Sequence, residues 1–394
     1  MPWRLRSPRG HGLPLLLAVL AAALALRYGL YIAAAQPIGL VQAFCRWDCG
    51  WYITVAELGY QPTPSPDGLE TANRSNWAFF PAFPWLFGSI ARLTGMTYAL
   101  AATVVNLALL PVLILLATLW FTRTRQARSG WGMPLELVIF LCVWPWGLYF
   151  SIPYTETLFA VLMLATLLLL RGGHWLPAAL TAMGLCATRP TGIVVTAIAM
   201  LAVLIPALTG LLKARTPEAR KEASLSFLQG AAFGAVGALG LAGYMFFLHG
   251  RVGDALAFQH VQLAWGRSLE NPLTLLFDGL AANDLGNLFR EPAQAMSDTY
   301  LAIAGIAALL ICGWLAWARR WLETAICLTT LLIPLSTGLL SIPRFAFTNP
   351  LIILAVWDMV RRLPLPWRGG IYLALGAAQA WLLRLWFHEA FGVA

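Results

Sequence analysis

Long apolar stretches recur along the whole chain, and this feature limits the folds open to it more than any other. A run of about 20 apolar residues is long enough to cross the hydrocarbon core of a bilayer as a helix. About eleven such runs can be placed, some of them shortened by Gly and Pro. They lie near residues 13–35, 97–121, 133–150, 156–170, 175–188, 192–212, 224–248, 299–317, 322–341, 346–360 and 369–387. The pattern predicts an all-α, polytopic membrane protein with a single domain over residues 1–394.

The composition agrees with a membrane protein and excludes several other classes. Residues of the types AVILMFWYC make up 60% of the sequence, and charged residues make up 11%. In an ordinary soluble domain about a quarter of the residues are charged. A soluble enzyme, a disordered chain and a disulfide-stapled secreted domain are therefore excluded. The first apolar run is longer than the core of a signal peptide, which has about 7 to 15 residues, so we expect an uncleaved first span.

The basic residues follow the topology of a membrane protein rather than forming a patch for nucleic acid. The formal net charge is +9. If the N-terminus lies in the cytoplasm, Lys and Arg cluster in the short segments on the inner side, as the positive-inside rule requires. These clustered cations are Arg4, Arg6, Arg9, Arg123, Arg125, Arg128, Arg171, Lys213, Arg215, Arg220, Lys221, Arg319, Arg320, Arg361, Arg362 and Arg368. No nucleic-acid partner is expected, and the surrounding partners are membrane lipids.

Only the outer side of the predicted topology has loops long enough to build a site, at residues 36–96 and 249–298. The first loop opens with an aromatic segment, Phe44–Tyr60, that is predicted to be one helix lying on the membrane. Its predicted apolar face contains Trp47, Trp51, Tyr52, Val55 and Leu58. Further along, Pro81 and Pro84 are expected to prevent a regular helix. The second loop is predicted to hold two short amphipathic helices, and a solvated cover without chemistry fits it equally well.

Two of the six cysteines, Cys45 and Cys49, lie in the first outside loop. Their spacing places them on the same face of a helix, which permits a disulfide or a metal pair. No second Cys or His pair accompanies them, so the sequence does not demand a metal site there.

Acidic and basic residues recur at the outer ends of the predicted spans. An ionisable residue at the edge of a membrane is costly and is a functional candidate by default. Five segments on this side are candidates, and all but Asn76–Pro84 contain an acid or an arginine: Arg46-Trp47-Asp48 with Glu57, Asn76–Pro84, Pro153–Glu156, Thr188–Gly192 and Pro343–Phe345. Each also has a structural explanation. Asp48 is able to cap a helix or pair with Arg46, Glu156 suits a helix N-terminus, and Arg189 and Arg344 suit the snorkelling ends of spans. Their convergence on one side favours a functional site.

The motifs in these segments resemble those of a known family. The segment Trp47–Tyr60, with the sequence WDCGWYITVAELGY, and the segment Ala78–Pro84, with AFFPAFP, are similar to the first motif of the PIG-V mannosyltransferases. The segments Pro153–Phe159, Thr188–Gly192 and Arg344-Phe345 are similar to later motifs of that family, in the same order. The resemblance implies the GT-C fold of membrane glycosyltransferases, with amphipathic helices in the first outside loop. It also implies a polyprenyl-phosphate sugar donor and a catalytic Asp in that loop, which is Asp48.

The residues themselves also predict how the sugar would be transferred. Asp48 is predicted to be a general base that activates an acceptor hydroxyl, and direct displacement of the phosphate would then invert the anomeric centre. Glu57 lies nine residues away, which on a straight helix is half a turn off and about 13 Å along the axis, so the two acids do not form a dyad. Arg189 and Arg344 are predicted to bind the donor phosphate, and a divalent metal is the alternative. The residues predicted to bind substrate or to orient the loop are Trp47, Trp51, Tyr52, Glu57, Phe80, Tyr154 and Glu156.

The sequence thus predicts a glycosyltransferase that passes mannose to a lipid-linked or envelope acceptor on the extracytoplasmic side. The expected location is a bacterial inner membrane with a periplasmic site, and the alternative is the endoplasmic reticulum with a lumenal site. A transporter or flippase of lipid-linked saccharides is a rival, because it would share the spans and the buried Arg. A non-catalytic subunit of a glycan-assembly complex is a third possibility.

Overall fold

The computed structural model describes residues 12–63, 74–124, 132–290 and 297–387, and every regular element in these ranges is helical. The α-helices are α1 (Gly12–Ala34), α2 (Leu40–Phe44), α3 (Asp48–Leu58), α4 (Ala82–Thr94), α5 (Tyr98–Thr124), α6 (Gly132–Val143), α7 (Glu156–Arg171), α8 (Trp175–Cys186), α9 (Thr191–Lys213), α10 (Pro217–Val252), α11 (Ala257–His260), α12 (Pro272–Ala281), α13 (Asn287–Arg290), α14 (Asp298–Trp317), α15 (Trp321–Leu335), α16 (Ile342–Phe347), α17 (Pro350–Val360) and α18 (Leu365–Phe387). Short 3-10 helices cover Asn76–Ala78, Pro145–Phe150 and Val261–Trp265.

A helix lies at each of the predicted spans, and the all-helical prediction is confirmed. By length and composition, six of the described helices are able to cross a membrane: α1, α5, α9, α10, α14 and α18. Others are shorter apolar helices, among them α6, α8, α15 and α17. The number eleven stays a prediction, because several of the predicted spans are shortened by helix breaks. For example, the tenth begins at Pro350 rather than near 346, where Asn349 accepts a hydrogen bond from the backbone of Leu351 and caps α17.

Glycines allow α10 to lie close against α8 and α9. A Cβ added to Gly240 would lie 1.9 Å from the carbonyl oxygen of Met183 in α8. A Cβ added to Gly234 would lie 2.1 Å from the sulfur of Met200 in α9. Small residues at such contacts let helix backbones approach each other, which is how helices associate where lipid removes the hydrophobic driving force.

A buried arginine secures the break at the end of α6. The predicted span 133–150 is an α-helix only to Val143 and continues as the 3-10 helix Pro145–Phe150. Arg27 of α1 is buried and donates hydrogen bonds to the carbonyl oxygens of Cys142 and Gly147. These bonds satisfy backbone groups that the break would otherwise leave without partners inside the membrane.

The first outside loop differs from the predicted single helix over Phe44–Tyr60. The chain forms α2 and α3 with a break between them, because Trp47 adopts φ 43°, a value that helical residues do not have. Cys45 and Cys49 flank this break and form a disulfide, with 5.2 Å between their Cα atoms. The predicted apolar face is also partly wrong, since Leu58 is 79% exposed. The buried face of α3 contains Cys49, Tyr52, Val55 and Ala56.

The expectation that Pro81 and Pro84 prevent a helix is wrong. Pro81 is the N-cap of α4, and Pro84 lies in its first turn. The first turn of a helix has backbone N–H groups without intrahelical acceptors, so a proline there removes no hydrogen bond. α4 buries Phe83 and Phe87 and connects the first outside loop to α5.

The second outside loop begins after α10, which ends at Val252 rather than near 248. Two predicted short helices become one amphipathic helix, α12, with the single turns α11 and α13 and the 3-10 helix Val261–Trp265 on either side of it. Glu270 donates a backbone hydrogen bond of 2.8 Å to the carbonyl of Ser336, which ties this loop to the end of α15.

Charged residues at the opposite, predicted cytoplasmic end are paired with one another. Arg320 forms an ion pair with Glu323, and Asp358 pairs with Arg361 at 2.6 Å. Trp120 of α5 donates a hydrogen bond of 3.1 Å to Glu323. Nη1 of Arg320 also lies 3.7 Å from Oδ2 of Asp358, so this network joins α5, α15 and α17 and neutralises the buried acids Glu323 and Asp358.

Candidate active site

Four segments that are far apart in the chain meet at the end of the bundle predicted to face outside. They are the start of α3, the start of α7, the turn between α8 and α9, and α16. Each contributes one ionisable side chain, namely Asp48, Glu156, Arg189 and Arg344. The structure therefore brings together one charged residue from each of four separate motifs.

Asp48 is the acid of this cluster that solvent reaches. Its side chain is 24% exposed, and its Oδ2 accepts a hydrogen bond of 2.8 Å from Nη1 of Arg344. Its backbone N–H donates to the hydroxyl of Tyr154 at 3.1 Å, and that hydroxyl donates to the carbonyl of Arg46 at 3.1 Å. Tyr154 thereby fixes the start of α3 and the direction of Asp48.

The break before Asp48 is held by packing. Trp47 has a positive φ, which costs free energy for a bulky side chain and tends to persist only where the surroundings enforce it. Its ring lies edge-on against Trp386 of α18, with 4.5 Å between the centroids. The Cys45–Cys49 disulfide closes the chain around the same residue. Trp47 is thus a positioning residue for Asp48.

Glu156 is the buried acid and lies between two arginines. Its side chain is 0% exposed, its Oε1 lies 3.3 Å from Nε of Arg344, and it also forms an ion pair with Nη2 of Arg189. Arg189 donates from Nε to the hydroxyl of Thr155 at 2.7 Å. Glu156 is the first residue of α7, so the helix dipole also favours its negative charge. The carboxylate is held by these cations and is not free to attack a substrate.

The two arginines lie against the acids of the cluster, and their role in binding the donor phosphate stays a prediction. Both were expected to bind the donor phosphate, yet Arg344 contacts the carboxylates of Asp48 and Glu156, and Arg189 contacts that of Glu156. Burial disfavours the charge of Arg344, but the carboxylates of Asp48 and Glu156 outweigh it and hold its pKa above the ordinary value. Each guanidinium has five N–H donors, so donors remain on both for a second anion.

The aromatic residues of the motifs fall into two groups. Tyr52 contacts the cluster, with its hydroxyl 3.3 Å from that of Thr155. Trp51 stacks on Phe79, with 5.8 Å between the centroids, beside the cluster. In contrast, Phe80 is buried against Tyr244 of α10, with centroids 4.8 Å apart, and packs the segment before α4 against α10.

Glu57 lies on the exposed surface of α3, away from the face that buries Tyr52 and Val55. This placement agrees with the geometric argument that Glu57 and Asp48 do not form a dyad.

Two residues that build the site, Asn106 and Arg267, lie outside the sequence motifs. Asn106 is buried in α5 and donates to the carbonyl oxygens of Tyr154, at 2.8 Å, and of Ile152, which holds the loop before Glu156. A single Asn within a long apolar helix is a signal that could have found it.

Arg267 of the second outside loop also reaches the site, since its guanidinium lies 5.5 Å from the ring centroid of Phe345. No sequence pattern marked it.

The described residues contain no group of three or more His, Cys, Asp or Glu placed to hold a metal ion. Asp48 and Glu156 are bridged by the guanidinium of Arg344, which supplies a positive charge at the place where two acids approach each other. The site therefore places one partly exposed carboxylate, that of Asp48, beside several guanidinium groups. This combination suits proton removal from a hydroxyl next to a developing phosphate anion.

Comparison with known proteins gives similarity in structure only. No protein-family model matches the sequence, and no curated protein matches it. The oligosaccharyltransferase of Archaeoglobus fulgidus, in its complex with Zn and sulfate, is 16% identical, with a TM-score of 0.50, over 95% of this chain and 53% of that one. The apo form of that enzyme is 14% identical, with a TM-score of 0.45, over 96% and 56%. Its complex with an inhibitory peptide and a dolichol-phosphate is 15% identical, with a TM-score of 0.47, over 96% and 56%.

The chain thus spans about half the length of the solved structures that it matches. At this level of identity the similarity shows the fold alone. The chain therefore shares the helical fold of this membrane oligosaccharyltransferase over about half of that protein's length.

Proposed function

We propose that the chain is an integral membrane glycosyltransferase that uses a polyprenyl-phosphate-linked sugar and has Asp48 as its general base. The observation that carries this proposal is the position of Asp48, a partly exposed carboxylate beside Arg344 where four separate motif segments meet. The GT-C fold supports the class of activity. Mannose as the sugar, and a relationship to the PIG-V mannosyltransferases, rest on the resemblance of the motifs alone.

The proposed step is a direct displacement. The acceptor is a lipid-linked or envelope molecule, and Asp48 takes the proton from its hydroxyl as the oxygen attacks the anomeric carbon. The bond from that carbon to the phosphate oxygen breaks, and the phosphate leaves as a polyprenyl phosphomonoester. Arg344 engages Oδ2 of Asp48, so the other carboxylate oxygen remains to accept the proton.

This arrangement favours inversion of the anomeric centre. Retention through a covalent intermediate needs a second carboxylate as nucleophile. Glu156 is the nearby acid, but it is buried and paired with Arg189 and Arg344. Glu57 is exposed on another face of α3. We therefore propose that Asp48 acts as the base and that neither Glu156 nor Glu57 acts as a nucleophile.

The proposed location is a bacterial inner membrane with the site on the periplasmic side, or the endoplasmic reticulum with the site in the lumen. The distribution of clustered cations supports an outward-facing site. Both locations are oxidising, and the disulfide between Cys45 and Cys49 beside the site suits such a compartment.

A transfer assay tests the proposed function directly. The full chain is reconstituted in lipid nanodiscs and supplied with polyprenyl-phosphate mannose or polyprenyl-phosphate glucose, each labelled in the sugar, together with a membrane extract as acceptor. We expect label to pass from the mannose donor to a lipid-extractable or envelope product. Activity that survives EDTA would assign charge stabilisation to the arginines, and activity lost with EDTA would assign it to a divalent cation. Transfer from neither donor, with movement of lipid-linked saccharide between leaflets instead, would support the flippase alternative.

A further inference from the structure

Three arginines from different segments surround one aromatic ring. The guanidinium carbons of Arg189, Arg267 and Arg344 lie 5.7, 5.5 and 4.9 Å from the ring centroid of Phe345. Phe345 follows Arg344 in α16, so the ring lies at the centre of the cluster. Guanidinium groups are attracted to the face of an aromatic ring, which helps to hold several of them near each other.

The charges around this ring do not cancel. Arg189 and Arg344 neutralise Glu156 and Asp48, and this uses both acids of the cluster. Among the described residues, no carboxylate lies within ion-pair distance of Arg267, whose hydrogen bond is to the hydroxyl of Thr337 at 3.5 Å. The cluster therefore carries one excess positive charge, located on Arg267.

The positive charge of Arg267 is unfavourable at this position, because the guanidinium is partly removed from water and lies near Arg344. Burial, with the positive charge of Arg344 next in effect, lowers the pKa of Arg267 to about 10, while Asp48 acts in the opposite direction. The group remains charged at neutral pH. An anion placed between Arg267 and Arg344 would relieve both the desolvation of the cation and the repulsion.

The local fold places Arg267 there by specific contacts. Gly266 ends the 3-10 helix Val261–Trp265 with φ 70°, a conformation that favours glycine. The backbone N–H of Arg267 donates to the carbonyl of Gln262 at 3.1 Å. One residue before the turn, Trp265 lies edge-on against Trp51, with centroids 5.3 Å apart. The segment is thus fixed against α3, and Arg267 points toward α16.

We propose that Arg267 is a phosphate-binding residue, which, with the free donors of Arg189 and Arg344, binds the lipid phosphate of the donor and of the released product. The inference rests on the proposed function for the identity of the lipid. The ligand class follows from the chemistry of the site, because the planar guanidinium fork matches two oxygens of a phosphate. The excess charge on Arg267 suits the leaving group in particular, which gains negative charge as the glycosidic bond breaks.

The test measures binding rather than transfer. The full-length protein in nanodiscs is titrated with polyprenyl phosphate, with the unphosphorylated polyprenol, and with inorganic phosphate as competitor. We compare wild type, Arg267→Gln, Arg267→Lys and the matched control Arg384→Gln, which removes an exposed arginine near the end of α18. We expect Arg267→Gln to weaken polyprenyl phosphate binding by about tenfold or more, since hydrogen bonds to charged groups contribute on that scale. Arg384→Gln should bind as wild type does.

Arg267→Lys keeps the positive charge, so its affinity for polyprenyl phosphate tests the inference even if Arg267→Gln folds poorly. We expect it to bind more weakly than wild type, because an ammonium cannot make the bidentate contact. Equal affinity of wild type, Gln and Lys variants, or equal affinity of wild type for polyprenol and its phosphate, would overturn the inference. Competition by inorganic phosphate that is lost in Arg267→Gln would support it and would place the recognition in the head group.

The two proposals fail in different ways. If wild type binds polyprenyl phosphate through Arg267 but transfers no sugar, the proposed function is wrong and the phosphate site stands. If transfer occurs with an unchanged donor KM in Arg267→Gln, the phosphate site is wrong and the proposed function stands.

Discussion

Arg344 is the residue on which the geometry of the cluster depends. It contacts Asp48 through Nη1 and Glu156 through Nε, and these acids come from different helices. A lysine would keep the charge but would reach the two carboxylates from a single atom.

We therefore predict that Arg344→Lys lowers the transfer rate by at least about tenfold, as expected when a carboxylate loses a fixed orientation. Steady-state kinetics that separate kcat from donor KM will measure this, with Arg384→Lys as the control. A Lys variant with wild-type kcat would show that Arg344 acts through its charge alone.

Glu156 is predicted to be structural rather than catalytic. It is fully buried between Arg189 and Arg344, and breaking a buried ion pair from one side leaves an uncompensated charge. We expect Glu156→Gln to lower the free energy of unfolding by about 3 to 5 kcal/mol. Glu57→Gln, at an exposed position on α3, should change it by less than about 0.5 kcal/mol. Thermal unfolding in nanodiscs or detergent compares the two, and equal stability of both variants would contradict the buried role.

The sequence identified the charged residues of the site but not their partners. The motifs pointed to Asp48, Glu156, Arg189 and Arg344, because ionisable residues at the ends of spans are conspicuous among apolar neighbours. Which arginine binds which acid depends on tertiary contacts between α3, α7 and α16, and no local pattern encodes them. Arg267 was missed because a single cation in a polar loop is ordinary in sequence and becomes unusual only when the fold places it, partly buried, near Arg344 and Phe345.

At the scale of elements, the contact between α8 and α10 depends on a glycine. A side chain at Gly240 would collide with the backbone of Met183, which cannot move aside as a flexible side chain can. We predict that Gly240→Leu separates the two helices and lowers the yield of folded protein and its melting temperature.

The matched control is Gly243→Leu, where an added Cβ has nothing within 4 Å. That variant should fold as wild type does. Size-exclusion profiles and melting temperatures will compare the two variants, and tolerance of Leu at position 240 would contradict the close contact between α8 and α10.

The sequence predicted the long helices well and the irregular segments poorly. Apolar runs of about 20 residues located α1, α5, α9, α10, α14 and α18, because a helix is the form in which an isolated chain satisfies its backbone in lipid. The break at Trp47 has no sequence signal, since a positive φ at Trp comes from tertiary packing against Trp386. Pro84 was misread because its effect depends on its position within the helix, and α4 places it in the first turn.

At the scale of the whole molecule, the distribution of cations predicts the orientation in the membrane. Residues near 67 and 290 should be reached by a membrane-impermeant thiol reagent from outside, and residues near 125 and 218 from the cytoplasm. Positions 67 and 125 lie outside the described residues, so there the prediction rests on the sequence. Position 218 lies in the first turn of α10, and position 290 lies in the outside loop that follows the other end of this helix. The two ends of α10, Pro217 and Val252, are about 54 Å apart at 1.5 Å per residue.

Single introduced cysteines test this orientation in intact cells and in inverted vesicles. Reversed labelling at 218 and 290 would place the Asp48 cluster on the cytoplasmic side, and the sugar donor would then have to bind from the cytoplasm. The cytoplasmic pairs such as Asp358 with Arg361 would then face outside, against the positive-inside rule.

The turnover of Asp48→Asn per folded molecule decides whether Asp48 is the general base. Asparagine keeps the shape of the side chain, but it cannot accept the proton. A general base contributes typically about 10² to 10⁴ in rate. We predict normal expression and normal binding of polyprenyl phosphate in Asp48→Asn, with transfer reduced at least about a hundredfold, while Glu57→Gln transfers as wild type does. Near-wild-type turnover in Asp48→Asn would remove Asp48 from the mechanism and contradict the proposed function.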